Sequence, residues 1–198
     1  MKKVVSFLGN EILLGLFITF LSVFTAIASY QGALADGNQN DFEIKGMTSL
    51  NDVNVLYLES NQIWIQDDGN YDNWYINQDT NPDIAAYYEG NFTELLYSAI
   101  ERNGADEYPI DEQYVTELYT DANELFDDSA VNFETANDWN TRGDHLQLVL
   151  TIMAIGLAFA GWASINKEES NLRGFFSLLS IVTLVIGLIY YFATPIVA

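Results

Sequence analysis

The clearest chemical spacing in the chain belongs to an Asp- and Asn-rich segment, "DGNYDNWYINQD", from Asp68 to Asp79. Numbered as a twelve-residue calcium loop, it places Asp68, Asn70 and Asp72 at positions one, three and five, and Asp79 at position twelve. Hard oxygen ligands at these spacings can wrap one cation. Asn73 replaces the usual glycine of position six, and the last acid is shorter than glutamate. The pattern therefore resembles a calcium loop but departs from it at positions six and twelve.

The residue types give little support for an enzyme active site. The chain has no cysteine and a single histidine, His145. Thiolate nucleophiles, disulfides, cysteine-ligated zinc and the two-histidine HExxH zinc motif are therefore excluded. Neither a glycine-rich phosphate loop nor a Ser-His-Asp arrangement can be identified. We expect a non-enzymatic protein without a catalytic residue, and calcium is the one candidate cofactor.

Charge is concentrated in the middle of the chain. From Ala35 to Asp144 there are 25 acidic residues against the three bases Lys45, Arg102 and Arg142. A field of this sign repels nucleic acid and attracts cations and basic proteins, so no nucleic-acid partner is expected. The acidity is typical of a solvated surface, as in proteins of high-salt hosts, and a cation site is the alternative explanation.

Three uncharged stretches are long enough to cross a membrane, and membrane lipid is therefore an expected partner. They are residues 12–35, 146–165 and 174–198. A helix needs about 20 apolar residues to cross the hydrocarbon core. The stretches contain no ionisable side chain of the kind that marks ion pathways, so transport by this chain alone is not expected.

The basic residues near these stretches predict the orientation. Lys2 and Lys3 precede the first stretch, and Lys167 and Arg173 lie between the second and the third. Basic segments next to membrane spans stay in the cytoplasm. The cytoplasmic segments are then residues 1–11 and 166–173, whereas residues 36–144 and the C-terminus lie outside.

The first stretch also resembles a signal peptide, with "AIA" at 26–28 or "ALA" at 33–35 as the cleavage site. Its apolar region is longer than the roughly 7–15 residues of most signal peptides. We therefore expect an uncleaved membrane anchor, and a cleaved signal peptide is the alternative.

The second stretch contains five small residues that permit close helix packing, namely Ala154, Gly156, Ala158, Ala160 and Gly161. Packing within the pair formed by the second and third spans is favoured over packing against another protein.

A long amphipathic helix is predicted from Pro109 to Asn140. Apolar or small residues recur there at alternating spacings of four and three, at Val115, Tyr119, Ala122, Phe126, Ser129, Phe133, Ala136 and Asn140. Packing of this stripe against its own chain is favoured. The alternative is a coiled coil between chains, with an interface formed by Val115, Tyr119, Ala122, Phe126 and Phe133.

Two further segments complete the middle block. Residues 81–104 predict a helix that starts near Pro82 and stops at "RNG". Residues 42–66 carry helical spacing at Leu50, Val53, Tyr57, Asn61 and Trp64, but "VNVLYLESNQIWIQ" also alternates like two strands. Helix is favoured because an isolated two-stranded hairpin is poorly stable.

The run "TAIASYQGALADGNQ", Thr25 to Gln39, together with the layout around it, resembles an uncharacterised family of small prokaryotic membrane proteins. The resemblance implies an N-terminal anchor, an acidic helical block and a closing pair of spans in a prokaryotic plasma membrane. It carries no known function.

The sequence thus predicts a mostly α-helical membrane protein with three spans and an acidic, mainly helical extracytoplasmic domain. We expect a structural or interaction protein that docks a protein partner or forms a homo-oligomer. A calcium-dependent binding or sensing module is the alternative.

Overall fold

The computed structural model describes residues 10–104, 107–168 and 170–197, which are mostly α-helical and contain no β-strand. The helices of this described part are α1 (Glu11–Asn77), α2 (Pro82–Glu89), α3 (Glu94–Asn103), α4 (Glu112–Leu118), α5 (Thr120–Ile165) and α6 (Asn171–Phe192). Three of them, α1, α5 and α6, are long and apolar enough to cross a membrane. The predicted helical class with three candidate spans is confirmed at this level.

Some helix boundaries differ from the predictions. Residues 42–66 are helical throughout, as favoured, and belong to α1. The predicted helix over 81–104 is two helices, α2 and α3, separated by a turn that includes Gly90. The predicted helix over 109–140 is interrupted at Tyr119, next to the Leu118 carbonyl, which accepts a hydrogen bond from Ser60 Oγ at 3.0 Å.

The chain divides into two compact units. The terminal unit combines the residues up to Glu43 with those from Phe133 onward, and the central unit runs from Ile44 to Asn132. Helices α1 and α5 contribute residues to both units.

In the central unit, α1 packs on α5 through residues spaced seven apart. The buried residues of α1 include Gly46, Val53, Ser60 and Asp67, and those of α5 include Ala122 and Ser129. Ser129 Oγ donates a hydrogen bond of 3.0 Å to the Gly46 carbonyl. Because glycine, serine and alanine have small side chains, the two helix backbones can lie close together.

The terminal unit has an apolar core. Here α1 again buries residues seven apart, Leu14, Leu21, Ala28 and Ala35, and α5 buries Leu146, Val149, Met153, Gly156, Ala160 and Ala163 at spacings of three and four. The closer spacing on α5 reflects its contact with two helices, since Gly156 lies next to Leu21 of α1 and Thr183 of α6.

Arg173, near the start of α6, is buried rather than free in the loop. It is 4% exposed, and its Nη1 donates to the Asn166 carbonyl at 3.1 Å. Its Nη2 lies 4.0 Å from Glu11 Oε1. One of the bases that predict the orientation therefore also fastens the connection between α5 and α6.

The small residues of α5 allow a direct test of the core. A Cβ atom at Gly156 would lie 2.5 Å from Thr183 Oγ1 and 2.8 Å from Leu21 Cδ2, whereas a Cβ at Gly161 would meet nothing within 4 Å. We expect Gly156→Ala to lower the free energy of unfolding by about 1–3 kcal/mol through overpacking. Gly161→Ala should not lower it, because alanine is the better helix former and its Cβ meets no neighbour. Denaturation of both variants in detergent measures the difference, and equal stability would contradict the close packing at Gly156.

Candidate functional site

The central unit holds a second core, separate from that of the terminal unit. Tyr71 of α1, Leu96 and Ala99 of α3, and Tyr114 of α4 are buried together. Aromatic rings extend this cluster: Trp74 lies 5.6 Å from Tyr71 between ring centroids. The aromatic residues of the middle block therefore hold α3 and α4 onto the end of α1.

A buried carboxylate fastens this core. Asp67 is 0% exposed and accepts hydrogen bonds from Tyr114 Oη at 2.7 Å, from Thr93 Oγ1 at 2.5 Å and from the Thr93 backbone N–H at 3.2 Å. Thr93 is also the N-cap of α3, where its Oγ1 accepts from the Leu96 N–H at 3.1 Å. Burial, followed by the hydrogen bond to Asp67, raises the pKa of Tyr114. Asp67 thus connects three helices.

A second carboxylate, Asp111, caps α4. It accepts from the Tyr114 backbone N–H at 2.7 Å, and Arg102 forms a two-point contact with it at 2.6 and 3.2 Å. The hydrogen bond from the Tyr114 N–H, together with the Arg102 guanidinium, lowers the pKa of Asp111 to about 2. This carboxylate joins the last turn of α3 to the first turn of α4.

The segment that resembles a calcium loop is mostly helix. Asp68, Asn70 and Asp72 belong to α1, whereas Asp79 follows the helix. Asp68 and Asp72 lie one turn apart, but Asn70 lies about 160° from Asp68 around the axis. Tyr108 Oη donates to Asp68, and Asn70 Nδ2 donates to the Asn91 carbonyl at 3.2 Å.

This geometry bears on the predicted calcium site. Within the described residues, no group of three or more His, Cys, Asp or Glu side chains is placed to hold a metal ion. The four predicted ligands do not form the loop that the spacing implied, because helical hydrogen bonding directs neighbouring side chains to different sides. Calcium binding itself stays a prediction.

The predicted interface residues fall into two sets. Ala122 is buried against its own chain, and Tyr119 Oη donates to Asn61 Oδ1 at 2.6 Å. Val115, Phe126 and Phe133 are exposed, and Phe133 belongs to the terminal unit. Ala122 therefore packs within the chain, and a contact between chains through the exposed Val115, Phe126 and Phe133 stays a prediction.

A cavity of about 340 Å³ lies between α1 and the α4 region of the central unit. It is lined by Asn61, Trp64, Tyr108, Ile110, Val115 and Tyr119. Both tyrosine hydroxyls are engaged, that of Tyr108 by Asp68 and that of Tyr119 by Asn61. Burial and the hydrogen bond to Asp68 raise the pKa of Tyr108, so this phenol is neutral and the side chains that line the cavity are uncharged.

One exposed feature of the central unit is a stripe of large apolar side chains on α1, which we call the α1 stripe. Its apolar members are each more than half exposed: Ile44, Met47, Val55, Leu58, Ile65 and Ile76. At 100° per residue all of them fall on one side of the helix. The sequence prediction did not include the stripe, because it rested on Val53, Tyr57 and Trp64, which face the rest of the chain. Spacings of four and three that begin at Ile44 are the signal in the sequence that marks the stripe.

Fold and surface together define a helical protein with three candidate membrane spans and a separately packed central unit. Comparison of the chain with protein-family models, curated proteins and solved structures finds no match.

The Asp67 cluster predicts a stability effect. Tyr114→Phe removes one of the donors to a buried carboxylate, and we expect the free energy of unfolding to fall by about 1–3 kcal/mol. Tyr87→Phe is the control, because Tyr87 is 69% exposed. Denaturation of the full chain in detergent, followed by tryptophan fluorescence, measures both variants. Equal stability of the two would show that the Tyr114 hydroxyl contributes nothing.

The Asp111 cap predicts a pH dependence. Its pKa in the folded chain, about 2, lies below the ordinary value of 3.8. The ionised cap therefore stabilises the fold above pH 4 or so, and this contribution is lost as the pH falls toward about 2. We expect Asp111→Asn to be less stable than the natural chain at pH 6, with a difference that shrinks below about pH 4. Melting curves between pH 6 and 2 test this, and a constant difference would contradict it.

Proposed function

We propose that this protein is a non-enzymatic, membrane-anchored interaction protein whose central unit docks a protein partner or a second copy of the chain. The observation that carries the proposal is the α1 stripe. Leu58, at its middle, is 69% exposed, and Ile65, two turns further along, is 64% exposed. When a partner buries exposed apolar surface, the hydrophobic effect stabilises the complex by about 25 cal/mol for each Å². A stripe of exposed apolar side chains of this kind marks an interaction surface.

The position of the stripe on the helix supports this role. Leu58 lies about 160° around α1 from Ser60, which is buried and donates a hydrogen bond to the Leu118 carbonyl at the end of α4. The stripe therefore faces away from the packing of its own unit. Asp52 and Glu59 border it on one side and Asp68 on the other, and no base interrupts it. An apolar centre with a charged border is the usual anatomy of a protein interface.

The charge of the unit adds selectivity to the surface. From Ile44 to Asn132 the chain has nineteen acidic residues and two bases, Lys45 and Arg102. Such a field raises the encounter rate with basic proteins and repels acidic ones. A heterologous partner of this unit is therefore expected to be basic around an apolar centre.

Membrane anchoring is the second half of the proposal. The three candidate spans α1, α5 and α6 hold the chain in the bilayer. Helix α1 continues without a break through Ala28 and Ala35, and both residues are buried in the core, which supports an anchor that is not cleaved. With the bases before the first span and between the last two inside, the central unit is exposed outside a prokaryotic plasma membrane.

A single substitution in the stripe tests the proposal. We expect Leu58→Asp to abolish retention of the partner or second copy when the full chain is purified in mild detergent, because it places a charge in the apolar centre. Val131→Asp is the matched control: Val131 is 61% exposed on α5, outside the stripe.

Cross-linking followed by mass spectrometry of the purified material identifies what is retained. Loss of association in Leu58→Asp alone is the expected result. A natural chain that is strictly monomeric and free of partners in native salt would overturn the proposal, as would full retention in Leu58→Asp.

A further inference from the structure

We infer that the partner of the α1 stripe is the α1 stripe of a second copy of this chain, aligned parallel and in register over residues 44–69. The inference deepens the proposed function and rests on it, because it names the occupant of the same surface. Its support comes from the spacing, the anchoring and the charge of the helix.

The spacing of the stripe is that of a helix that pairs with another helix. Taking one residue from each turn, alternately four and three apart, the exposed positions are Ile44, Thr48, Asn51, Val55, Leu58, Gln62 and Ile65, followed by the partly exposed Gly69. In heptad notation they occupy successive d and a positions. This period lets one face of a helix follow a neighbouring helix over several turns. A partner with a different shape, such as a sheet edge or a globular pocket, would not require such a long regular line.

Membrane anchoring fixes the direction of the pairing. Two copies that insert into one bilayer in the same way carry α1 in the same direction, because the candidate span and the stripe belong to one continuous helix. The two spans also start at the same depth in the bilayer. Parallel pairing without a shift is therefore the arrangement that anchoring imposes on two identical α1 helices.

Polar residues inside the stripe select the same register. Asn51 and Gln62 interrupt the apolar positions and would be left opposite apolar groups if one helix slid along the other by a turn. In register, each amide faces its own copy and can exchange hydrogen bonds with it. A polar residue at a core position commonly specifies register in paired helices at a cost in stability.

The charges next to the stripe permit parallel pairing despite the acidity of the unit. The e positions beside the stripe include the acids Asp52 and Glu59, and in a parallel pair they lie opposite the g positions of the other helix. Those g positions are Met47 and Asn54, which carry no charge. Asp72 is different, because it occupies a d position and would face its own copy. This repulsion ends the pairing near Gly69.

The strength of the pairing follows from its composition. Four large apolar residues, Ile44, Val55, Leu58 and Ile65, occupy the eight positions from 44 to 69. That is few for a helix pair in free solution. Two chains held in one membrane, however, meet at a high effective concentration and need only a modest contact. The proposed pair is therefore a membrane-dependent one.

The absence of cysteine from the natural chain makes the test direct. Single cysteines are introduced into the full chain in membranes at three stripe positions, as Asn51→Cys, Leu58→Cys and Ile65→Cys. Matched controls carry the cysteine one residue further on, as Asp52→Cys, Glu59→Cys and Gln66→Cys, where the side chain is also exposed. A disulfide needs Cα atoms about 4.4–6.8 Å apart. Each stripe cysteine would face its own copy, whereas each control cysteine would lie on the outer flank.

After mild oxidation, we expect disulfide-linked dimers at the three stripe positions, with yields several-fold above those of the controls. Equal yields in both sets would indicate random collision and overturn the inference. Dimers at none of the six positions would also overturn it. If the natural chain then retains a different protein that Leu58→Asp loses, the proposed function stands without the pairing. If the natural chain retains neither a second copy nor another protein, both the proposed function and the pairing are wrong. Melting curves of each variant confirm that all six are folded.

Discussion

The close contact between α1 and α5 through small residues spaced seven apart is the constraint on which the rest of the structure depends. In the central unit it places the Gly46 carbonyl against the Ser129 hydroxyl at 3.0 Å. In the terminal unit a Cβ atom at Gly143 would lie 3.7 Å from the Cβ of Ala35. Larger side chains at these positions would separate the helices and expose both backbones. Since one face of α1 is committed to α5 in each unit, the same contact also decides which residues of α1 are left at the surface.

Asp67 shows that the contact between α1 and α5 also determines where a polar residue is buried. It is the last member of the series Gly46, Val53, Ser60 and Asp67, so the heptad position that buries Val53 also buries a carboxylate. A buried carboxylate is costly unless its oxygens accept hydrogen bonds. Thr93 and Tyr114 supply these donors and thereby bring α3 and α4 to the end of α1. Helices α3 and α4 therefore pack at the place where α1 buries Asp67.

The α1 stripe is the counterpart of that buried face. An apolar side that faces away from the core of its own unit, on a helix that is also a candidate membrane span, is what an anchored interaction protein requires. Aromatic and aliphatic side chains are abundant at the surface of the central unit. This surface is the basis of the interaction role that we propose.

The sequence by itself determined the helical class and the three candidate spans, because uncharged stretches of about 20 residues and 3.6-residue periodicity are local properties that survive any packing. It also determined that a helix starts at Pro82 and that a helix ends at Gly104, at φ 82°, but not that a turn at Gly90 divides this segment into two helices. Tertiary structure alone decided which of two apolar faces of α1 is buried, since both faces carry helical spacing and only the position of α5 distinguishes them. It likewise decided that Asp68, Asn70 and Asp72 lie along a helix rather than around a loop, because the hydrogen bonds of α1 continue through residues that are individually typical of turns. Contacts distant in sequence, such as those of Asp67 with Thr93 and Tyr114, have no local signal, and only the folded chain brings these residues together.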